Sequence, residues 1–177
     1  MNKEVVVLRY GHRYHRDLRV TSHCCLVARA FGAKKIIIQG DEDKSLRESV
    51  DSVSKNWGAG FELEFRSTWR KVLIEYKKKG FKIVHLTMYG ESINKIENEF
   101  KKINKILVII GSQKVERDVY FESDYNVSIT TQPHSEIAAL AVCLDRIFER
   151  KEIEKKFKNA KIRIIGSAKG EKKIIRT

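Results

Sequence analysis

Between Leu8 and Cys25 the chain reads LRYGHRYHRDLRVTSHCC, with Arg9, Arg13, Arg16 and Arg19 interleaved among Tyr10, Tyr14, His12, His15 and His23. Guanidinium forks hold phosphates, and aromatic and guanidinium planes stack on exposed bases, so the stretch reads as an RNA contact. The plain structural alternative is a solvated loop and helix start in which Asp17 pairs with Arg13 or Arg16. His12, His15, His23, Cys24 and Cys25 also carry zinc-ligand chemistry, but their spacing is irregular and adjacent cysteines rarely bind one metal together. No metal is expected, and Cys24 and Cys25 read as core residues of the helix that runs to Phe31. Further on, His134-Ser135-Glu136 opens an apolar helix. There Ser135 suits the cap and Glu136 the positive end of the dipole, and the chain has no G-x-S-x-G elbow for a serine triad.

Three other stretches, LTMYG (86–90), IIGSQKV (109–115) and ITTQP (129–133), each close a β-branched run. Successive strand ends of this kind meet at one edge of a parallel sheet and form one pocket, where Gly90 and Gly111 let a ligand approach the main chain. None of them fits G-x-G-x-x-G or the P-loop, which disfavours a dinucleotide or a triphosphate. An adenosine ligand without phosphates, such as S-adenosylmethionine, needs no phosphate cradle.

The elements that position these stretches alternate along the chain. Strands are expected at Val5–Leu8, Lys35–Ile38, Phe61–Phe65, Phe81–Leu86, Ile106–Ile110, Tyr125–Ile129 and Ile162–Ile165, and helices near Thr21–Phe31, Ser45–Lys55, Thr68–Lys79, Ile93–Lys102 and Glu136–Glu149. Such βαβ alternation predicts an α/β domain with a mostly parallel sheet and helices on both faces. Residues 1–158 read as one domain and 159–177 as a basic extension with a short strand. The only proline, Pro133, keeps Gln132 extended and lacks an N–H, both suited to a junction before a helix. That helix is apolar nearly all round, which predicts a homodimer with Glu136–Glu149 in its interface.

Among 177 residues, 36 Lys and Arg against 23 acids give a formal charge of +13, which favours a polyanionic partner. No apolar run approaches the ~20 residues that cross a bilayer, so no membrane association is expected. Val5–Leu8 is too short for a signal-peptide core, and three cysteines make no disulfide framework; a cytoplasmic protein is expected.

LRYGHRYHRDLRVTSH, ARAFGA, LTMYG, VIIGSQKV and TQPHSEIAALAVCLDRIF together resemble the archaeal tRNA (cytidine(56)-2′-O)-methyltransferases, over nearly the whole chain from Val5 to about Gly170. The resemblance implies a SPOUT methyltransferase with a C-terminal trefoil knot in roughly 80–150, acting as a homodimer on tRNA with S-adenosyl-L-methionine. The implied reaction is 2′-O-methylation of the ribose of cytidine 56 in the T-loop. The implied cofactor site is Leu86, Gly111, Ser112, Gln113, Lys114, Val115, Ile129, Thr130, Thr131, Gln132, Pro133, His134, Ser135 and Glu136. Related ribose methyltransferases carry an arginine in N-x-x-x-x-x-R-x-A-x-A-F-G; here Leu26 fills that slot. The catalytic role then falls to Arg16 or Arg19, with Arg9, His12 and Arg13 as RNA contacts. A non-catalytic RNA-binding α/β module is the competing reading; it would keep the basic stretch without needing three ligand-shaped strand ends.

Overall fold

The computed structural model describes residues 3–111, 115–170 and 173–176. Six parallel strands form the sheet: β1 (Glu4–His12), β2 (Lys35–Gly40), β3 (Glu62–Arg66), β4 (Lys82–Ser92), β5 (Lys105–Gly111) and β6 (Tyr125–Ser128), in the order β3-β2-β1-β5-β4-β6. The intervening helices are α1 (Tyr14–Ala30), α2 (Lys44–Trp57), α3 (Trp69–Lys78), α4 (Ile93–Lys102), α5 (Arg117–Glu122) and α6 (Glu136–Ile147).

Strand side chains alternate between two cores, as a pleat requires. On one face Val5, Val7, Ile36, Ile38, Val84, Ile106 and Val108 pack with Cys24, Cys25, Leu46, Phe100, Leu140 and Cys143 from α1, α2, α4 and α6. On the other, Val6, Leu8, Ile37, Ile83, Leu107 and Ile109 meet Trp69, Val72, Tyr76 and Val119 from α3 and α5. Both faces are buried, which is why the strands are nearly continuous runs of Val, Ile and Leu.

Two of the expected elements run beyond their expected bounds in ways that shape the site. The first helix starts at Tyr14, seven residues before the predicted Thr21. Its buried stripe is Asp17, Thr21, Cys24, Cys25 and Ala28, at helical spacing, but its first two members are polar and give no apolar signal. β4 runs on to Ser92, and both Leu86 and Glu91 pair with Val127. Residues 87–90 therefore arch out of the ladder, and the chain returns through Gly90, where a Cβ would lie 2.5 Å from the Asn126 carbonyl carbon. Only glycine fits that close approach.

Beyond α6, β7 (Ile162–Ile165) pairs antiparallel with β8 (Lys173–Arg176) in a separate two-stranded sheet. β8 was not foreseen. The chain before β7 is tied to the end of α2 by Lys161 N–H donating to Asn56 O (2.9 Å) and Ala59 N–H donating to Lys158 O (3.1 Å).

Candidate ligand cavity and its flanking polar clusters

β4, β5 and β6 are neighbours in the sheet, so their carboxyl ends and the segments that follow enclose one cavity of about 740 Å³. Its wall includes Leu86 and the 87–89 arch, Ile110, Gly111, Val115, Ile129, His134 and Glu136. Of the expected cofactor residues, Leu86, Gly111, Val115, Ile129, His134 and Glu136 thus line it. Thr130, Thr131, Gln132, Pro133 and Ser135 are exposed and do not line it. Ser112, Gln113 and Lys114 lie outside the described residues. His85, Arg117 and Tyr120 also line the cavity and were not anticipated. His85 directly precedes the quoted LTMYG stretch, whereas the six-residue α5 gave no periodic signal.

The local chemistry fixes several of these groups. Ser135 caps α6 by accepting from Ala138 N–H at 3.1 Å. The His134 ring nitrogen Nδ1 lies 2.7 Å from Gln132 O; a carbonyl only accepts, so Nδ1 carries the proton. Asn126 donates through Nδ2 to Tyr120 O (2.9 Å), which leaves its Oδ1 to accept from His85 Nδ1 (2.9 Å). The lone pair of His85 is therefore on Nε2, and burial holds this imidazole below its ordinary pKa and neutral. Tyr120 stands edge-on to the same ring at 4.6 Å.

The basic stretch divides in a way its composition conceals. Arg9 is fully buried: it follows Val5 and Val7 on the α1/α6 face of β1, and its Nη2 donates to Glu136 Oε1 at 3.1 Å. His12, 2% exposed, shares a hydrogen bond with Thr21 Oγ1 (2.9 Å) and lies 4.0 Å from the buried Asp43. Burial, reinforced by Arg9, keeps His12 neutral; Asp43 stays ionised against its own burial because the Leu46 amide and the Ser45 hydroxyl donate to it. Arg9 and His12 are thus interior groups, a correction to their expected place as surface RNA contacts. Arg13 is partly buried and grips Asp17 with both Nε (3.0 Å) and Nη2 (3.1 Å), the pairing foreseen as the structural alternative. Its donated hydrogen bonds hold the Asp17 carboxyl below the usual range. Arg16 and Arg19 are exposed on α1, and neither lines the cavity within this chain.

Cys24 and Cys25 are buried thiols in the core. Among the described residues no group of three or more His, Cys, Asp or Glu is arranged to hold a metal. No described helix is long and apolar enough to cross a membrane.

On the opposite sheet face, Glu116 accepts from the Tyr10 hydroxyl at 2.9 Å and from Arg70 at 3.0 Å, with the Trp69 indole N–H at 3.4 Å. Arg70 also reaches Asp118 at 2.6 Å and lies over the Trp69 ring. This exposed cluster anchors the chain just beyond Val115, where it leaves the cavity.

In overall shape the chain is similar to the SpoU methyltransferase AviRb from Streptomyces viridochromogenes, crystallised with the cofactor AdoMet: TM-score 0.63 and 17% identity over 85% of this chain and 58% of that longer one. It is also similar to the TrmH/SpoU tRNA modifying enzyme of A. aeolicus, with TM-score 0.58 and 17% identity over 88% of this chain and 81% of the other. The fold is therefore that of the SpoU-type methyltransferases. In sequence it is 48% identical to a tRNA (cytidine(56)-2′-O)-methyltransferase of Methanopyrus kandleri over 97% of both chains. It is 52% identical to one of Pyrococcus horikoshii over 95% of this chain and 83% of that one. A model of the family described as tRNA ribose 2′-O-methyltransferase, aTrm56, matches residues 57–175. The chain belongs to that family.

Proposed function

We propose that the protein methylates the ribose 2′-hydroxyl of cytidine 56 in the T-loop of tRNA, with S-adenosyl-L-methionine as methyl donor. The observation that carries this reading is the cavity at the ends of β4, β5 and β6 in a chain of this family. Its size suits a nucleoside-sized ligand. Leu86, Ile110 and Ile129 offer apolar surface to an adenine, Gly111 exposes backbone, and the Glu136 carboxylate complements a sulfonium cation. The S–CH₃ bond of the donor supplies the activated methyl group.

The residues act by placement. Ser135 and the α6 cap fix Glu136, while the 87–90 arch returns over Asn126 and Val127 with residues 87–89 in the cavity wall, in the segment where the resemblance implies a trefoil knot. Positioning the 2′-oxygen in line with the methyl carbon supplies much of the acceleration. Because a cation is neutralised in the reaction, a dry wall of carbonyl and apolar groups favours the transition state. Arg16 and Arg19, exposed on α1, hold tRNA phosphates and steady charge emerging on the ribose oxygen, with the partly buried Arg13 beside them. A homodimer through α6 brings these groups near a cavity: Val142 of α6 and Tyr14, Leu18 and Leu26 of α1 are apolar side chains exposed by 37–43%. A second copy covers them.

Incubating unmodified tRNA with the protein and labelled S-adenosylmethionine, then mapping the modified nucleotide, tests the reading. Label on the ribose of cytidine 56 is the expected result. Label on a base, or binding of tRNA without donor affinity, overturns it and favours the RNA-binding module.

A further inference from the structure

The proposed reaction, on which the following rests, must remove a proton from the ribose hydroxyl. Arg16 and Arg19 have no acceptor to offer, and neither has Arg117 in the cavity wall. The wall holds three groups that can take a proton: His85, His134 and Glu136. His85 is 1% exposed and stands edge-on to Tyr120, and His134 sits on an exposed loop with its Nδ1 on a carbonyl two residues away. Glu136 differs from both. Its side chain is 16% exposed and is gripped from behind by an arginine whose side chain is wholly buried.

That pair is incompletely satisfied. Arg9 Nε and Nη1 and Glu136 Oε2 are buried with no hydrogen-bond partner among the described residues. An ion pair kept only for stability would be expected to fill such capacity, since a half-satisfied buried pair is worse than an apolar replacement. The Glu136 side chain, 16% exposed in the wall of a cavity sized for a nucleoside, suits a ligand hydroxyl that reaches the carboxylate once a small turn of the carboxyl group brings the shielded, unfilled Oε2 to that exposed edge.

We propose that Glu136 accepts the 2′-hydroxyl proton and that Arg9 is the buried positioning residue that holds the carboxylate in place for it. The 2′-oxygen bonds to the methyl carbon as the S–CH₃ bond breaks and sulfur keeps its electron pair; the O–H proton passes to Glu136, which later releases it to water. A hydroxyl, a carboxylate and a sulfonium become an ether, a carboxylic acid and a neutral thioether, so charge balances. Burial raises the Glu136 pKa above the ordinary carboxylate range while Arg9 pulls it back, moving a weak base toward neutrality. The groups facing it are Arg9 from β1, Asp17 and the neutral Cys24 from α1, and His85, His134 and Arg117 around the cavity. Asp17 opposes the ionised form and Arg9 favours it.

Glu136→Gln tests this with two separate readouts. Because the same carboxylate complements the sulfonium, calorimetry should show weaker S-adenosylmethionine affinity, and single-turnover transfer to tRNA measured at saturating donor should still fall by about 10²- to 10⁴-fold, with partial recovery in Glu136→Asp. In Arg9→Gln, the titration of the Glu136 carboxyl, followed by carbon NMR in the absence of substrates, should move to higher pH, and the acid limb of the rate profile with it. Thermal melts of each variant separate these effects from misfolding, and the Glu136→Gln arm stands without Arg9→Gln. Near wild-type transfer by Glu136→Gln, a loss confined to donor affinity, or an unmoved titration in Arg9→Gln overturns the assignment. If wild-type protein methylates the ribose, such results sink this inference alone; if it does not, the proposed function falls and takes the inference with it.

Discussion

Arg9 and Tyr10 are consecutive residues at one strand end, and the pleat sends them to opposite faces of the sheet. Arg9 turns into the core beneath α1 and α6 and meets Glu136 with its guanidinium wholly buried. Tyr10 turns toward α3 and α5 and joins an open cluster of Glu116, Arg70 and Asp118 set against the buried Trp69. Both clusters flank the same cavity and both pair Arg with Glu, yet their energetics differ in kind. In the exposed cluster water screens each charge, and the chelating geometry contributes local order more than stability. In the buried one, each charge depends on its partner, so removing either leaves an ion stranded in a low dielectric. Burial, and not the identity of the pair, decides what an ion pair does.

The strongest challenge to that contrast is Arg9→Ala. It strands the Glu136 carboxylate and should cost about 3–5 kcal/mol in urea unfolding. Replacing both partners, as Arg9→Met with Glu136→Leu, should restore most of the loss, because the three unpartnered polar atoms disappear with the charges. A single-variant loss below about 1 kcal/mol, the range of an exposed pair, would erase the distinction between the two faces.

A weaker effect should appear with pH. His12 and His85 are held neutral by burial, with folded pKa values below the ordinary 6.5. The unfolded chain therefore binds more protons than the folded one once pH falls beneath 6.5. Stability should be fully present above that value and lost as pH drops toward the depressed pKa, with a slope approaching about 1.4 kcal/mol per pH unit for each histidine. Urea titrations across this window measure it, and His12→Asn should remove one histidine's share. Glu116, held below its ordinary 4.5 first by the Tyr10 hydroxyl and then by Trp69 and Arg70, should contribute nothing there. An unchanged slope in His12→Asn would mean that the buried cluster titrates no differently from the open one.

The sheet and the meeting of three strand ends were legible because runs such as VVVL, KIIIQ and KILVII report burial on both faces, and the order of elements constrains the rest. The first two turns of α1 were hidden: the buried positions there are Asp17 and Thr21, polar groups made tolerable by the N-cap residue Arg13 at i,i+4 and by His12 at the end of β1. The burial of Arg9 was readable in principle, since a period of two from Val5 and Val7 leads straight to it. The density of charge around it masks that signal, because four arginines in eleven residues read as a solvated surface. Within the candidate site, Leu86, Gly111 and Glu136 stood out by glycine placement, strand ends and resemblance. Arg117 and Tyr120 enter the cavity wall through the folding back of α5, which local pattern does not encode, and His85 enters it from β4, one residue before the LTMYG strand end.

The smallest effect belongs to the open cluster. Glu116 lies just after the segment that leaves Gly111 and is tied to β1 by Tyr10 and to α3 by Trp69 and Arg70. Glu116→Gln keeps the shape and one acceptor oxygen but removes the charge that both Arg70 and the phenol favour. Global stability should stay unchanged. Donor affinity should weaken by about two- to fivefold at low salt, as expected for an exposed pair that orders a cavity wall. Raising the salt should shrink the gap between variant and wild type, because screening removes from the native protein what the mutation has already removed. Calorimetry at two ionic strengths reads this directly. A large, salt-independent loss would show that Glu116 behaves like Glu136, and the two faces of the sheet would no longer differ in how their charges act.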